Sequence, residues 1–317
     1  MNKDYVKGLK QGLGFLTILG LAFGLVYAVG FHNPNEILGG MFIGNYSFNG
    51  TVNLSSAEVV GNSKISFVDT LGSVDSYTKL LIHSRTTNGS TTFTDSSSSG
   101  HTLIANGGIT HENFTSKFNS SSINFDTNDY LTVADSSDFT LGTNDFTIDF
   151  WVYIIDNSDT GQGFISHAQD SSSSGWTFVW NGPDGINFFI NGNNIVFPST
   201  LSRNLTQDEW SHLAISRLGN DWYLFKNGVI QSSVIDSTSV SDYSGTLKIG
   251  RGSSFSGGLF AGSSGYYLED GYMDEIRISN GIARWTSNFI PPTSPYGITQ
   301  LAKLEDKNGN QYNLTLS

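Results

Sequence analysis

The chain has 317 residues and a formal net charge of -12, with charged side chains at 14% and aromatic ones at 13%. An acidic chain without a Lys/Arg cluster lacks the positive footprint that neutralises phosphates, which argues against nucleic acid as a partner. There is no cysteine, so disulfides and thiolate metal sites are excluded.

Lys3, Lys7 and Lys10 precede an uncharged run over residues 13–31. At a rise of about 1.5 Å per residue the run crosses most of a bilayer core of ~30 Å. Positive charge before the run and none for a long stretch after it predicts a cytoplasmic N-terminus with the rest of the chain outside. Val26-Tyr27-Ala28 offers a signal-peptidase site, and a retained anchor is the equal alternative. Either fate leaves the rest of the chain secreted or at the cell surface. Gly20 and Gly24 have the spacing that lets two membrane helices approach, a route to self-association. Residues 1–31 are thus expected to be a signal or anchor segment.

Residues 32–76 mix Asn, Gly and Ser with alternating apolar residues, as in Tyr46-Ser-Phe48-Asn-Gly50-Thr-Val52-Asn-Leu54, and read as a β-rich stalk or linker. From residue 77 onward, short apolar runs alternate with turn residues. Strands are predicted at Lys79-Leu-Leu-Ile82, Ile123-Asn-Phe125, Tyr130-Leu-Thr-Val133, Phe146-Thr-Ile-Asp-Phe-Trp-Val-Tyr153, Trp176-Thr-Phe-Val-Trp180 and Ile186-Asn-Phe-Phe-Ile190. More follow at His212-Leu-Ala-Ile-Ser216, Trp222-Tyr-Leu-Phe225, Thr246-Leu-Lys-Ile249 and Met273-Asp-Glu-Ile-Arg-Ile278. So many strands exceed one flat sheet and fit two packed ones. Asn191-Gly192 and Asn227-Gly228 sit between apolar runs, where a tight hairpin wants positive φ. Residues 298–317 carry two further strand-like runs around Asn308-Gly309, read as a C-terminal hairpin or tail.

Ordered blocks within this strand series carry a family likeness. Tyr130-Leu-Thr-Val133 leads to Asp145-Phe-Thr-Ile-Asp-Phe-Trp-Val-Tyr153. Trp210-Ser-His-Leu-Ala-Ile-Ser-Arg217, Trp222-Tyr-Leu-Phe-Lys-Asn-Gly-Val229, Leu247-Lys-Ile-Gly250 and Gly271-Tyr-Met-Asp-Glu-Ile-Arg-Ile278 follow. Residues 77–297 resemble the laminin-G-like, concanavalin A-like lectin/glucanase jelly-roll family. The resemblance implies an all-β, two-sheet antiparallel jelly-roll sandwich, here preceded by one N-terminal hydrophobic helix. In many members an early D-x-S-G loop lies close to the acid of an "iDE" block and holds a structural Ca²⁺. Asp95 and Asp274 are the corresponding positions. The alternative makes Asp95 an Asx-turn residue and Asp274 a partner for nearby backbone or for Arg277.

Carbohydrate binding needs an aromatic face for a sugar's apolar side and polar groups for its hydroxyls. Trp176, Phe178 and Trp180 share a strand face and read as core, as do Trp151 and Trp210. Tyr266, Tyr267, Tyr272 and Trp285 lie in or beside glycine-rich loops and are the candidate ligand-binding residues. Glucanases of this fold carry Glu-x-Asp-x-(x)-Glu on one strand, and no such run occurs here. The expected function is therefore non-catalytic: an extracellular binding or adhesion module recognising glycans or another surface component. The alternative is a structural subunit of a surface filament or coat. A glycoside hydrolase is a third reading, by fold analogy alone.

Overall fold

The computed structural model describes residues 64–71, 74–118, 121–155, 161–170, 174–181, 185–194, 205–254, 266–305 and 311–315, with backbone alone at 64–71, 194, 298–305 and 311–315. The hydrophobic run at 13–31, the Gly20/Gly24 pair, the Ala28 cleavage site, most of the segment read as a stalk, and the Asn308-Gly309 turn lie outside the described residues.

The strands in chain order are β1 (Lys64–Leu71), β2 (Thr78–Ile82), β3 (Leu103–Asn106), β4 (Thr110–Glu112), β5 (Ser122–Phe125), β6 (Tyr130–Val133) and β7 (Phe146–Ile154). They continue with β8 (Gln162–Ala168), β9 (Gly175–Trp180), β10 (Ile186–Ile190), β11 (Asn193–Asn194), β12 (Trp210–Leu218), β13 (Asp221–Lys226) and β14 (Val229–Ile235). The series ends with β15 (Leu247–Ile249), β16 (Arg251–Gly252), β17 (Tyr266–Tyr267), β18 (Gly271–Asn280), β19 (Ile298–Glu305) and β20 (Gln311–Thr315). Among the described residues the only helical turn is a 3₁₀ turn over Ser137–Phe139, capped by the Ser136 side chain accepting from the Asp138 amide.

Residues 74–296 form one compact unit. Its eight-stranded sheet runs β14-β13-β12-β7-β18-β5-β4, with β2 also paired to β18. Its seven-stranded sheet runs β11-β10-β9-β8-β15-β6-β3. Pairing within both is antiparallel, as the predicted sandwich requires. β7 shows why these residues make strands. Its β-branched and aromatic side chains suit a pleated surface, and Phe146, Ile148, Phe150, Val152 and Ile154 alternate into the core. Trp176, Phe178 and Trp180, the face read as core from the sequence, meet them from the opposing sheet together with Ile186, Phe188 and Ile190. Each such side chain stabilises the fold by about 1.5–3 kcal/mol relative to leaving it exposed.

The two Asn-Gly hairpins form as expected. Asn191 and Gly192 have φ of 51° and 79°, and Asn227 and Gly228 have 51° and 74°, the left-handed geometry that matches the strands' twist. The Asn227 carboxamide also accepts from the His212 amide at 2.8 Å, tying this hairpin to β12.

A short ribbon of β16 and β17 lies on the outer face of the seven-stranded sheet. A Cβ added to Gly163 would stand 2.0 Å from the Gly252 nitrogen and 2.1 Å from the Tyr266 carbonyl oxygen. Only glycine lets the two backbones approach so closely.

The second unit holds one antiparallel sheet in the order β1-β19-β20, with β19 central and β1 and β20 on its two edges.

Candidate functional site

Registered neighbours in an antiparallel sheet share a face. On the eight-stranded sheet Trp210 pairs with Tyr153, Tyr153 with Tyr272, Tyr272 with Asn124, and Asn124 with Thr110. Their chain neighbours Val152 and Ile154 point into the core, so these five point outward. They form one transverse row across β4, β5, β18, β7 and β12, and all five are half-buried. At about 4.8 Å per strand the row spans roughly 19 Å.

Three of the five are aromatic. The Tyr153 ring lies 5.7 Å from that of Trp210 at 59° and 5.9 Å from that of Tyr272 at 71°. The rings therefore make a stepped surface with part of each ring left open. Asn124 and Thr110 continue the row with amide and hydroxyl groups. The Tyr153 hydroxyl lies 3.4 Å from the Asp208 carboxylate. Burial, then Asp208, pushes the Tyr153 phenol above its usual pKa; burial, then Glu112, does the same for Tyr272, with a smaller push from Asp270. Near the β4 end Phe114 is 85% exposed.

Further along the same face the surface is covered. Asp149 has 0% exposure. The Arg277 guanidinium grips it in bidentate fashion, Nε at 2.9 Å and Nη2 at 3.2 Å. The Tyr296 hydroxyl also donates to Asp149. Burial works to raise the Asp149 carboxyl, but Arg277 and the His212 hydrogen bond hold it down at about 2. The segment 281–296 lies over this ion pair as a strap. The Arg277 guanidinium sits 3.7 Å from the Tyr296 ring centroid. Trp285 stacks on Phe289 at 3.9 Å and 5°, and both rings meet His212 edge-on. The Phe289 amide donates to the Gly228 carbonyl at 2.8 Å, and the Asn288 carboxamide accepts from the Ile230 amide at 2.9 Å. Glu275, at φ 51° in a bulge of β18, accepts from the Tyr296 amide at 2.7 Å.

Of the residues singled out from sequence, Tyr272 belongs to the row. Trp285 belongs to the strap. Tyr266 and Tyr267 lie with β17 on the other sheet, where Tyr266 packs on Ala168, Val179 and Phe189 and Arg251 lies over the Tyr267 ring at 5.2 Å. The four do not form one rim. Trp210, read as core, is half-exposed in the row, and Trp151 is buried on the outer face beneath the Lys117 ammonium, which stands 3.6 Å from its ring centroid. Strand alternation shows which way a ring points, but what covers that face is decided by segments distant in sequence.

Asp95 and Asp274 do not fit the calcium site that the resemblance implies. Asp95 bridges to Ile82 on one edge of β2, while β18, which carries Asp274, pairs along the other edge. The strand separates the two carboxylates. Asp95 accepts from the Leu81, Ser97 and His101 amides and the Ser97 hydroxyl at 2.8–2.9 Å, which fills its acceptor positions. The Asx-turn alternative describes it. Asp274 accepts from the amides of Ser84 and Glu275 at 3.2 and 2.9 Å, and Arg277 pairs with Asp149 instead. Burial and the adjacent Glu275 push the Asp274 carboxyl well above the usual carboxylate range. Among the described residues, no three His, Asp or Glu side chains are grouped as a metal site.

No curated protein sequence matches this chain. Among solved structures, the binding domain of Paraclostridial Mosquitocidal Protein 1 is 16% identical, with 65% of this chain and 49% of that one covered and a TM-score of 0.48. The binding domain of Botulinum Neurotoxin DC in complex with SialylT is 14% identical, covers 64% and 48%, and has a TM-score of 0.45. The botulinum neurotoxin serotype D binding domain is 12% identical, with coverage of 64% and 48% and a TM-score of 0.46. This chain spans about half the length of these structures. The concanavalin A-like lectin/glucanases superfamily matches residues 125–284, which runs from the end of β5 through β18 into the strap. With half of the sequence covered, including most strands of both sheets, the chain belongs to the concanavalin A-like lectin/glucanase superfamily.

Proposed function

We propose that this protein is a non-catalytic binding module that takes a glycan across the row Thr110–Asn124–Tyr272–Tyr153–Trp210, outside the cell. The observation that carries this reading is the row itself. Three open aromatic faces in register with an amide and a hydroxyl supply what sugar recognition needs, over a length that holds several linked rings. The buried carboxylates support a binding role over hydrolysis: Asp149 is locked in an ion pair beneath the strap, and Asp274 is buried against the backbone amides of Ser84 and Glu275. Glycoside cleavage needs two carboxyl groups open to one bond. The uncharged run at 13–31 supports a place at the cell surface or in the medium.

The test is binding of the purified, detergent-solubilised chain to an array of neutral and charged glycans, compared with Trp210→Ala. Saturable binding that weakens at least about tenfold in the variant is expected, in line with one lost aromatic stacking partner. Binding should persist in a chelator. Binding unaffected by Trp210→Ala would remove the row from the reading.

A further inference from the structure

The row is ringed by acids. Asp208 precedes β12 and accepts from the Tyr153 hydroxyl, Asp270 precedes β18, and Glu112 ends β4, facing the same side as Thr110. Two of these acids are placed in an unusual way. Asp208 and Asp270 both adopt left-handed backbone, with φ of 58° and 47°. They flank the end of β7: the Asp208 amide donates to the Ile154 carbonyl and the Ile155 amide to the Asp270 carbonyl, each at 2.9 Å. Glycine or asparagine serves such a position at least as well, so the backbone does not require a carboxylate at either. On the same face the Lys117 ammonium is engaged on the Trp151 ring, which is not a member of the row.

Resting on the reading of the row as a glycan site, we propose that its ligand is a glycan bearing free amines, such as a deacetylated amino-sugar chain, and that the row rejects anionic sugars. Two features favour the same charge independently. Carboxylates attract an ammonium at any bearing, and open Tyr and Trp faces attract it through the ring quadrupole. A basic peptide meets the same charge less well, because a strand laid across a sheet face finds no backbone partners for its amides and carbonyls. A pyranose chain needs none.

The experiment is calorimetric titration of the solubilised full chain with three tetramers: glucosamine, N-acetylglucosamine and galacturonic acid. The glucosamine tetramer should bind tightest and the galacturonate tetramer weakest. Screened charges about 6 Å apart are worth roughly threefold each in water-like surroundings, so Asp208→Asn with Asp270→Asn should weaken glucosamine binding about tenfold. Asparagine keeps the left-handed backbone, and the acetylated tetramer should bind the double variant as before. An unchanged ranking in the double variant, or equally tight galacturonate binding, overturns the charge assignment; loss of acetylated-tetramer binding in Trp210→Ala would then leave the row intact as a glycan site. If no tetramer binds at all, the row reading fails and this inference with it. A lysine-rich peptide that competes at the row more tightly than the glucosamine tetramer overturns the assignment to a glycan.

Discussion

Two stretches of one sheet face differ only in what lies over them. Asp149 and Tyr153 are two alternations apart on β7 and point the same way, yet Asp149 is sealed while Tyr153 is half-open. The strap turns the first into a second small interior, where a polar side chain must be fully partnered. The row beyond the strap stays a surface, where aromatic rings touch one another edge to face but keep part of each face open. Alternation along a strand sets direction, and the covering segment sets environment.

Breaking the sealed half should have the largest effect. Arg277→Met leaves the Asp149 carboxylate buried without its cation, and loss of one partner of a buried pair costs about 3–5 kcal/mol. Urea unfolding of the variant measures it; a loss under about 1 kcal/mol would mean that water reaches Asp149 and that the two halves are less distinct than they look.

Acidification acts on the same contrast more gently. His111, His167 and His212 are buried, and burial lowers the pKa of each below 6.5. As pH falls through 6.5 the unfolded chain takes up protons before the folded one, so stability is full above that pH and declines below it. Asp149, held at about 2, retains its stabilising charge through this window. Thermal unfolding between pH 8 and 5 reads the decline; a flat profile would show that these imidazoles protonate freely in the fold.

The open half should be the least sensitive in stability. Tyr153→Ala removes a half-buried ring from a surface row and should cost about 1 kcal/mol while sharply weakening ligand binding. A loss near that of Arg277→Met would place the row among the structural parts of the sheet.

The sequence reading reached the sheets more fully than the site. Runs such as Phe146 to Tyr153 and Ile186 to Ile190 were legible because alternation and β-branched or aromatic content coincide. β8 was not, since Gly163, Ser166 and His167 dilute its pattern and a bulge breaks its register between Gly163 and Ile165. The row was legible only at Tyr272. Its other members come from four further strands, and their adjacency is created by register between residues as distant as Thr110 and Trp210. The glycine-rich context that drew attention to Tyr266 and Trp285 marks loops, but loops also fold back: one became a ribbon on a sheet, the other a strap.

The strap has a consequence beyond the ion pair it shelters. β14 is the outermost strand on its side of the sheet, and such a margin invites a strand from another molecule to add itself. By occupying the Ile230 amide, the Asn288 carboxamide withdraws one docking point from that margin, so the same segment that closes the domain also makes it a poorer template for polymerisation.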